Sequence, residues 1–301
     1  MRSSALATPV RSASGSLAEA VQGLRSGLPR IGWWIASVGL FVGFWELCWA
    51  LGWADPLLLP PPHVFMADLA GQAKNFSTTD RWQIGRAAGP PPNPFTGVAM
   101  TILATTSRVL AGLALAFVLS VAIGVAIRYW KIFGNLTLPT ITLLAPVSPV
   151  AWLPVAIFLF GIGNKPAIFM VFIALFFIMT LATISQIDSV NPTYVSVARI
   201  MGATKAQLYR HVILPAILPD LFVTLRLNLF AAWMVVLIAE VVGVGSGLGQ
   251  VVMLARNTFN PGLVFLTIFI IGLTGFFLDL LLRQIQRWVL WWVPQPRGAG
   301  P

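Results

Sequence analysis

The feature that most constrains this 301-residue chain is a series of six long apolar segments. A helix needs about 20 largely apolar residues to cross the hydrocarbon core of a bilayer, and each segment is that long. Within a bilayer only helices and closed barrels satisfy all of their backbone hydrogen bonds. The sequence therefore predicts an all-α membrane protein with about six transmembrane helices, in the segments Ile31–Ala54, Thr101–Ile127, Leu136–Phe160, Ala167–Ile187, Ala216–Val242 and Leu263–Leu282.

The composition agrees with a membrane protein and argues against a soluble one. Hydrophobic residues make up 57% of the chain and charged residues 9%, whereas a soluble domain carries about 25% charged residues. A net charge of +10 would indicate nucleic-acid binding in a soluble protein. Here the basic residues flank apolar segments, as they do in cytoplasmic loops. We therefore expect membrane lipid, and no nucleic acid, as the partner of this charge.

The distribution of Lys and Arg predicts how the chain crosses the membrane. With the N-terminus in the cytoplasm, the cytoplasmic stretches hold four, two, three and three basic residues, which is twelve, and the outer loops hold five. This asymmetry favours an N-in, C-in topology. The predicted divisions are a disordered cytoplasmic tail (1–30), a first transmembrane helix (31–54), an extracytoplasmic loop (55–100), a core (101–292) with a cytoplasmic loop (188–215), and a cytoplasmic tail (293–301).

The cytoplasmic loop, residues 188–215, has the pattern of two short helices that lie along the membrane face. Apolar residues recur there at roughly helical spacing, and Gly202 between them allows the chain to turn at low steric cost. Pro215 suits the first turn of the next span. The composition alone is also compatible with an ordinary interfacial amphipathic loop.

The spacing within this loop resembles the EAA loop of permeases from binding-protein-dependent ABC importers. The pattern of that family is Glu-Ala-Ala, three residues, Gly, nine residues, Ile, one residue, Leu-Pro. The positions that match it are Ala198, Gly202, Leu214 and Pro215, and those that depart from it are Ser196, Val197 and Val212.

Motifs in the rest of the chain resemble, in order, the nitrate/sulfonate/taurine/bicarbonate subfamily of these permeases. The resemblance implies a type I ABC importer permease fold in the bacterial inner membrane, which translocates a small anionic solute delivered by a solute-binding protein. The motifs are Trp45-Glu46, Leu59–Pro62, Arg108–Gly112, Pro146–Pro154, Phe160–Gly163, Leu225-Arg226, Ala239-Glu240 and Gly245–Gly249.

The resemblance also implies partners for the chain. A cytoplasmic ATPase subunit that carries ATP and Mg²⁺ would dock on the loop, and a second permease copy would complete a homodimer. This chain has no glycine-rich loop with Lys-Ser/Thr, and its two histidines lie on opposite sides in the predicted topology. We therefore expect a transport subunit, not an enzyme, with no cofactor or metal of its own. The residues implied in coupling to the ATPase are Ala198, Arg199, Gly202, Ala203, Leu208, Val212, Leu214 and Pro215.

Four ionisable residues within or at the edges of apolar segments are the most informative charges, because such a group costs about 2.5 kcal/mol or more at the bilayer centre. Arg226 is predicted near the middle of the membrane, and Arg108 and Glu240 toward its outer side. Arg108 could pair with Glu240 or with Glu46. These charges either form structural pairs or, in the case of Arg108 or Arg226, lend positive potential to an anion path.

Pro146, Pro149 and Pro154 are predicted to interrupt helical hydrogen bonding in the third apolar segment. Irregular backbone at membrane depth is tolerated only against protein or a water-filled cavity, so the segment is predicted to line the pore, with a kinked peripheral helix as the alternative. The candidate path residues are Arg108, Pro146, Pro149, Pro154, Arg226 and Glu240.

The rival function is a secondary carrier or another autonomous polytopic membrane protein, although no internal repeat typical of carriers is evident.

Overall fold

A computed structural model describes residues 32–33, 35–53, 55, 59–76 and 93–292. The predicted tails, 1–30 and 293–301, lie outside these residues. The chain divides into a unit of residues Met1–Ala67 and a unit of residues Asp68–Pro301. The described residues form helices and turns and contain no strand, which confirms the all-α prediction.

The first unit contains two described helices, α1 (Ile35–Ala50) and α2 (Pro62–Ala67). Glu46 of α1 accepts a hydrogen bond from the backbone N–H of His63 at 3.2 Å, and its carboxylate lies 2.9 Å from Nδ1 of the same residue. Glu46 is thus engaged within its own unit.

The second unit contains four helical stretches that are long and apolar enough to cross a membrane: Phe95–Tyr129, Asn164–Asp188, Lys205–Gly243 and Pro261–Val289. They correspond to the second, fourth, fifth and sixth predicted spans. The helices of this unit are α3 (Leu69–Ala73), α4 (Pro94–Tyr129), α5 (Lys131–Leu144), a 3₁₀ turn (Pro149–Trp152), α6 (Leu153–Phe160), α7 (Asn164–Asp188), α8 (Pro192–Ile200), α9 (Lys205–Leu208), a π-helical turn (Tyr209–Ile213), α10 (Leu214–Gly243), α11 (Leu248–Asn257) and α12 (Pro261–Val289).

Helix α7 lies at the centre of this unit, packed between α4 and α10. Its side chains Met170, Val171 and Leu175 are almost completely buried. A Cβ atom at Gly112 of α4 would lie 2.6 Å from Cβ of Val171, so only glycine permits this approach of the two helices. Close helix contact over small residues is typical of packing in membranes.

The third predicted span is not one continuous helix, and its prolines had indicated such an interruption. Helix α5 and the stretch Pro149–Phe160 meet at a break bent by 101°. The cause is local: a residue before proline is disfavoured in the helical region, and Ser148, directly before Pro149, has an extended backbone (φ −56°, ψ 131°). The chain there is either a broken span or a re-entrant loop.

The fifth span begins earlier than predicted. Pro215 lies in the first turn of α10, as predicted, but the helical stretch continues back through the preceding turn to Lys205. Pro215 has no N–H to donate to the preceding turn, and the π-helical turn Tyr209–Ile213 directly precedes α10. A π turn inserts an extra residue into a helix and is often found at functional sites.

Candidate functional site: an outer ion-pair cluster and a cytoplasmic coupling loop

A buried ion pair joins α4 to α10 near their predicted extracytoplasmic ends. Nη1 of Arg108 lies 2.5 Å from Oε1 of Glu240, and the two side chains are 4% and 0% exposed. Of the two partners that the sequence allowed for Arg108, the structure therefore has Glu240. We call the pair and its polar neighbours the outer clamp; its residues are Thr105, Arg108, Asn164, Glu240 and Ser246.

The remaining hydrogen bonds of the outer clamp link further elements to the pair. Arg108 donates from Nε to Oδ1 of Asn164 at the start of α7 (2.9 Å) and from Nη2 to Oγ of Ser246 (2.7 Å). Glu240 accepts from Oγ1 of Thr105 (3.1 Å) and from the backbone N–H of Gly249 (3.0 Å). Both charges are thus paired and hydrogen-bonded, which a buried ion pair requires in order to be stable.

The glycine-rich segment after α10 closes directly over the Glu240 carboxylate. Gly247 has φ +109°, a conformation that side chains rarely adopt, and a Cβ atom there would lie 2.3 Å from the carboxylate carbon. A Cβ atom at Gly249 would lie 2.4 Å from the carbonyl oxygen of Leu237. The structural task of this segment is to enclose the carboxylate.

The outer clamp has the properties of an ion pair that stabilises the fold, and not those of a charged lining of a transport path. A buried cation beside its counter-ion presents no net charge to a passing solute, so the geometry favours the interpretation of Arg108 and Glu240 as a structural pair. Of the three prolines, Pro146 and Pro154 are exposed and Pro149 is half-buried. The prolines lie at or close to the bend between α5 and α6.

Arg226 contacts a carboxylate that the sequence analysis missed. Its Nε lies 2.5 Å from Oδ1 of Asp279 on α12, and Oδ2 of Asp279 accepts from Nε of Arg283 at 2.8 Å. Asp279 is buried, whereas the Arg226 side chain is 35% exposed. The signal was present in the sequence, because Asp279 lies inside the sixth apolar segment and four residues before Arg283, the spacing of a helical ion pair.

Arg226 lies in the middle third of the helical stretch Lys205–Gly243. It precedes the outer end of α10, Gly243, by 17 residues, or about 25 Å at 1.5 Å per residue. Thr224, two residues earlier, accepts from Nε2 of Gln186 at 2.7 Å, and Gln186 is close to the cytoplasmic end of α7. The mid-membrane depth that the sequence predicts for Arg226 stays a prediction.

The cytoplasmic loop consists of two short helices joined at a glycine, as predicted. Gly202 has φ +81° between α8 and α9. The side chain of Asn191 caps α8, and Thr204 and Gln207 form a capping box at the start of α9, which satisfies the first N–H groups of both helices.

The predicted coupling residues divide into inward and outward positions. Leu208 is buried with Ile187, Ile213, Ile217 and Leu221, and this cluster anchors the loop to the cytoplasmic ends of α7 and α10. Arg199 and Gly202 are exposed. The half-buried members of the predicted set are Ala198, Ala203, Val212, Leu214 and Pro215.

Helix α8 carries an exposed apolar face, whose residues the sequence showed only as apolar positions at helical spacing. Ile200 and Met201 are 86% and 82% exposed, and Tyr194 and Val197 lie beside them in helical register. We call these four residues the α8 face. A contiguous exposed apolar surface on an otherwise folded element is typical of an interaction site.

Helix α9 is fixed to the C-terminal end of α4. Nζ of Lys205 donates to the carbonyl oxygen of Tyr129 and lies 4.5 Å above the centre of the Tyr129 ring. The ring of Tyr209 packs edge-on against the same ring at 5.3 Å. Within the loop, α9 is therefore the fixed half. The other half, α8, is connected to it through Gly202.

Sequence comparisons relate the chain to membrane transport proteins. The family model described as "Binding-protein-dependent transport system inner membrane component" matches residues 87–291. The chain is 33% identical to a probable ABC transporter permease protein of Brucella melitensis biotype 1, over 64% of this chain and 78% of that protein. It is 27% identical to the taurine transport system permease protein TauC of Escherichia coli K12 (86% and 88%) and 30% identical to the nitrate import permease protein NrtB of Synechococcus elongatus (64% and 70%).

A solved structure confirms the predicted fold class. A chain of a bacterial ABC transporter involved in the import of the acidic polysaccharide alginate matches with a TM-score of 0.55. The match covers 87% of this chain and 99% of that chain at 14% sequence identity. At this identity the likeness concerns the fold, which is that of an importer's helical membrane subunit.

Proposed function

The chain belongs to the family of binding-protein-dependent transport system inner membrane components, as a permease subunit of an ABC importer, and we propose that it conducts a small anion across the bacterial cytoplasmic membrane. The observation that carries the anion proposal is the half-exposed Arg226 on a membrane-spanning helix, held in place by Asp279. The relatives named for nitrate and for taurine support it, since nitrate is an anion and taurine carries a sulfonate group.

The Arg226 environment has the electrostatics that an anion path requires. Arg226, Arg283 and the single carboxylate of Asp279 sum to one net positive charge. An arginine facing lipid at the centre of a span would cost about 2.5–3.5 kcal/mol, so partial exposure favours a wet surface or the headgroup level. Because Asp279 offsets part of the charge, an anion is attracted but released again, as conduction requires.

The coupling loop supports the partners of this proposed mechanism. An ATPase subunit, which holds ATP and Mg²⁺, binds the α8 face from the cytoplasm, and a solute-binding protein delivers the anion at the outer end. A second copy of the chain completes the membrane pore. Movement of α8 reaches α9, which continues into α10, so one helical stretch connects the loop with Arg226 and with Glu240 of the outer clamp.

The anion proposal predicts that Arg226→Gln lowers uptake by about tenfold or more, the loss that corresponds to roughly 1.4 kcal/mol of lost attraction. Uptake of radiolabelled nitrate, taurine and bicarbonate would be measured in proteoliposomes that contain the chain with its ATPase and binding protein. The variant leaves Asp279 paired with Arg283, so co-purification of the ATPase is expected to stay unchanged. Arg128→Gln, which removes an exposed cytoplasmic arginine, is the matched control, and unchanged uptake by Arg226→Gln would remove the proposal.

A further inference from the structure

One face of α12 is exposed along most of its length and changes chemistry at its cytoplasmic end. Its residues are spaced alternately four and three apart, which places them on one side of a helix. The four apolar members are each between 42% and 46% exposed, and the two arginines that follow them are also exposed. We call this face the α12 stripe, and it consists of Phe269, Leu273, Phe276, Leu280, Arg283 and Arg287.

The dimensions of the α12 stripe match one leaflet of a bilayer. From Phe269 to Leu280 the helix rises by about 16 Å, close to half of the roughly 30 Å hydrocarbon core. The two arginines follow at the end that the positive-inside distribution places in the cytoplasm. Trp288, which is exposed next to them, is the residue type enriched at the membrane–water interface.

The arginines at the end of the stripe keep hydrogen-bond donors available. Arg283 contacts Asp279 through Nε alone, and Arg226 uses its own Nε on the other oxygen of that carboxylate. Among the residues that the structure describes, the Nη groups of Arg283 meet no acceptor, and Arg287 forms no ion pair. The three arginines and Asp279 together carry two net positive charges, a donor set suited to a phosphate group.

We propose that the α12 stripe binds an anionic phospholipid of the cytoplasmic leaflet. Arg283 and Arg287 hold the phosphate, and an acyl chain lies along the apolar positions from Phe269 to Leu280. Basic groups at the cytoplasmic side of membrane helices attract anionic headgroups in this way. The site is separate from the α8 face and from the outer clamp, and it meets the proposed anion path at Arg283, which shares the Asp279 carboxylate with Arg226.

The charge of the stripe disfavours a second copy of the chain as its occupant. Membrane homodimers form around a two-fold axis, and pairing of two α12 stripes around an axis along the membrane normal would place Arg283 and Arg287 against the same residues of the other copy. Like charges in direct apposition oppose association. A phosphodiester at this position neutralises them.

The test measures lipid adducts of the full-length chain by native mass spectrometry after elution from micelles that contain phosphatidylglycerol and phosphatidylcholine in equal amounts. The wild-type chain is expected to retain phosphatidylglycerol preferentially. The bound fraction should fall about fivefold for Arg287→Gln and further for Arg283→Gln/Arg287→Gln, since each arginine near an anionic surface contributes about that factor. Arg287→Gln leaves the Asp279 pairs intact, so this single variant tests the proposal even if the double variant fails to fold.

The matched control is Arg256→Gln, which removes an arginine from α11 and is expected to leave the adducts unchanged. Equal retention of both lipids, or an unchanged bound fraction in Arg287→Gln, would overturn the proposal. So would displacement of the phosphatidylglycerol by millimolar inorganic phosphate, which would indicate a site for a free oxyanion. A disulfide between two copies that carry Leu273→Cys in a Cys48→Ser background would assign the stripe to an interface between chains instead.

Discussion

Replacing Arg108 with alanine is expected to destabilise the folded chain by about 3–5 kcal/mol, because removal of one partner leaves the other charge buried and uncompensated. Glu240 is completely buried and closed over by the backbone of the glycine-rich segment, so water cannot replace the guanidinium without local opening. The thermal unfolding midpoint of the purified variant in detergent should fall strongly, and the midpoint of Glu240→Ala should fall to a similar extent.

Two further variants test whether the loss of stability is specific to the buried ion pair. Arg128→Ala breaks the exposed Arg128–Asp188 pair and should cost less than about 1 kcal/mol, as exposed pairs do. Arg108→Met combined with Glu240→Gln should recover much of the lost stability, because no charge stays buried and the side-chain amide oxygen introduced by Glu240→Gln can still accept the N–H of Gly249. If Arg108→Ala and Arg128→Ala unfold at the same temperature, the outer clamp does not hold the helices together.

The second large effect is expected at the α8 face. Ile200→Asp combined with Met201→Asp should abolish co-purification of the ATPase subunit, because two apolar anchors at the centre of an interface contribute about 2 kcal/mol or more each. Both side chains are almost fully exposed in the single chain, so the double variant should fold normally and its unfolding midpoint should stay within error of the wild type.

The matched control for this experiment is Phe259→Asp, which makes the same chemical change at a residue that is also highly exposed but lies between α11 and α12. It should leave ATPase binding intact. Retention of the ATPase by the α8 double variant would show that the coupling surface lies elsewhere on the cytoplasmic side.

The membrane-spanning helices could be predicted from the sequence because a long apolar run has few alternatives to a transmembrane helix. The break in the third span could be predicted only in part. Pro149 indicated that hydrogen bonding would be interrupted, but a bend angle of 101° depends on packing that no local pattern encodes. In the fifth span, Pro215 lies in the first turn of α10 as predicted, but no local pattern indicated that the π-helical turn before it extends the helical stretch back to Lys205.

The charged residues show the same division between local and tertiary information. Glu240 was identified as one of two candidate partners for Arg108, yet only the three-dimensional arrangement decides between them. Asp279 was overlooked although its spacing from Arg283 is a local signal, because it lies near the basic end of its segment. The apolar residues of α8 were visible as helical periodicity, but contacts with α7 and α10 decide that Val195 and Ala198 pack inward while the α8 face stays exposed.

The most direct measurement for the transport account is solute uptake into proteoliposomes with the chain, its ATPase and its binding protein, with and without ATP inside the vesicles. We predict accumulation of an anion that requires all three proteins and ATP. Each omission, and the α8 double variant, should reduce accumulation to the level of empty vesicles. Uptake by the chain alone without ATP would contradict the account and assign it to an autonomous secondary carrier.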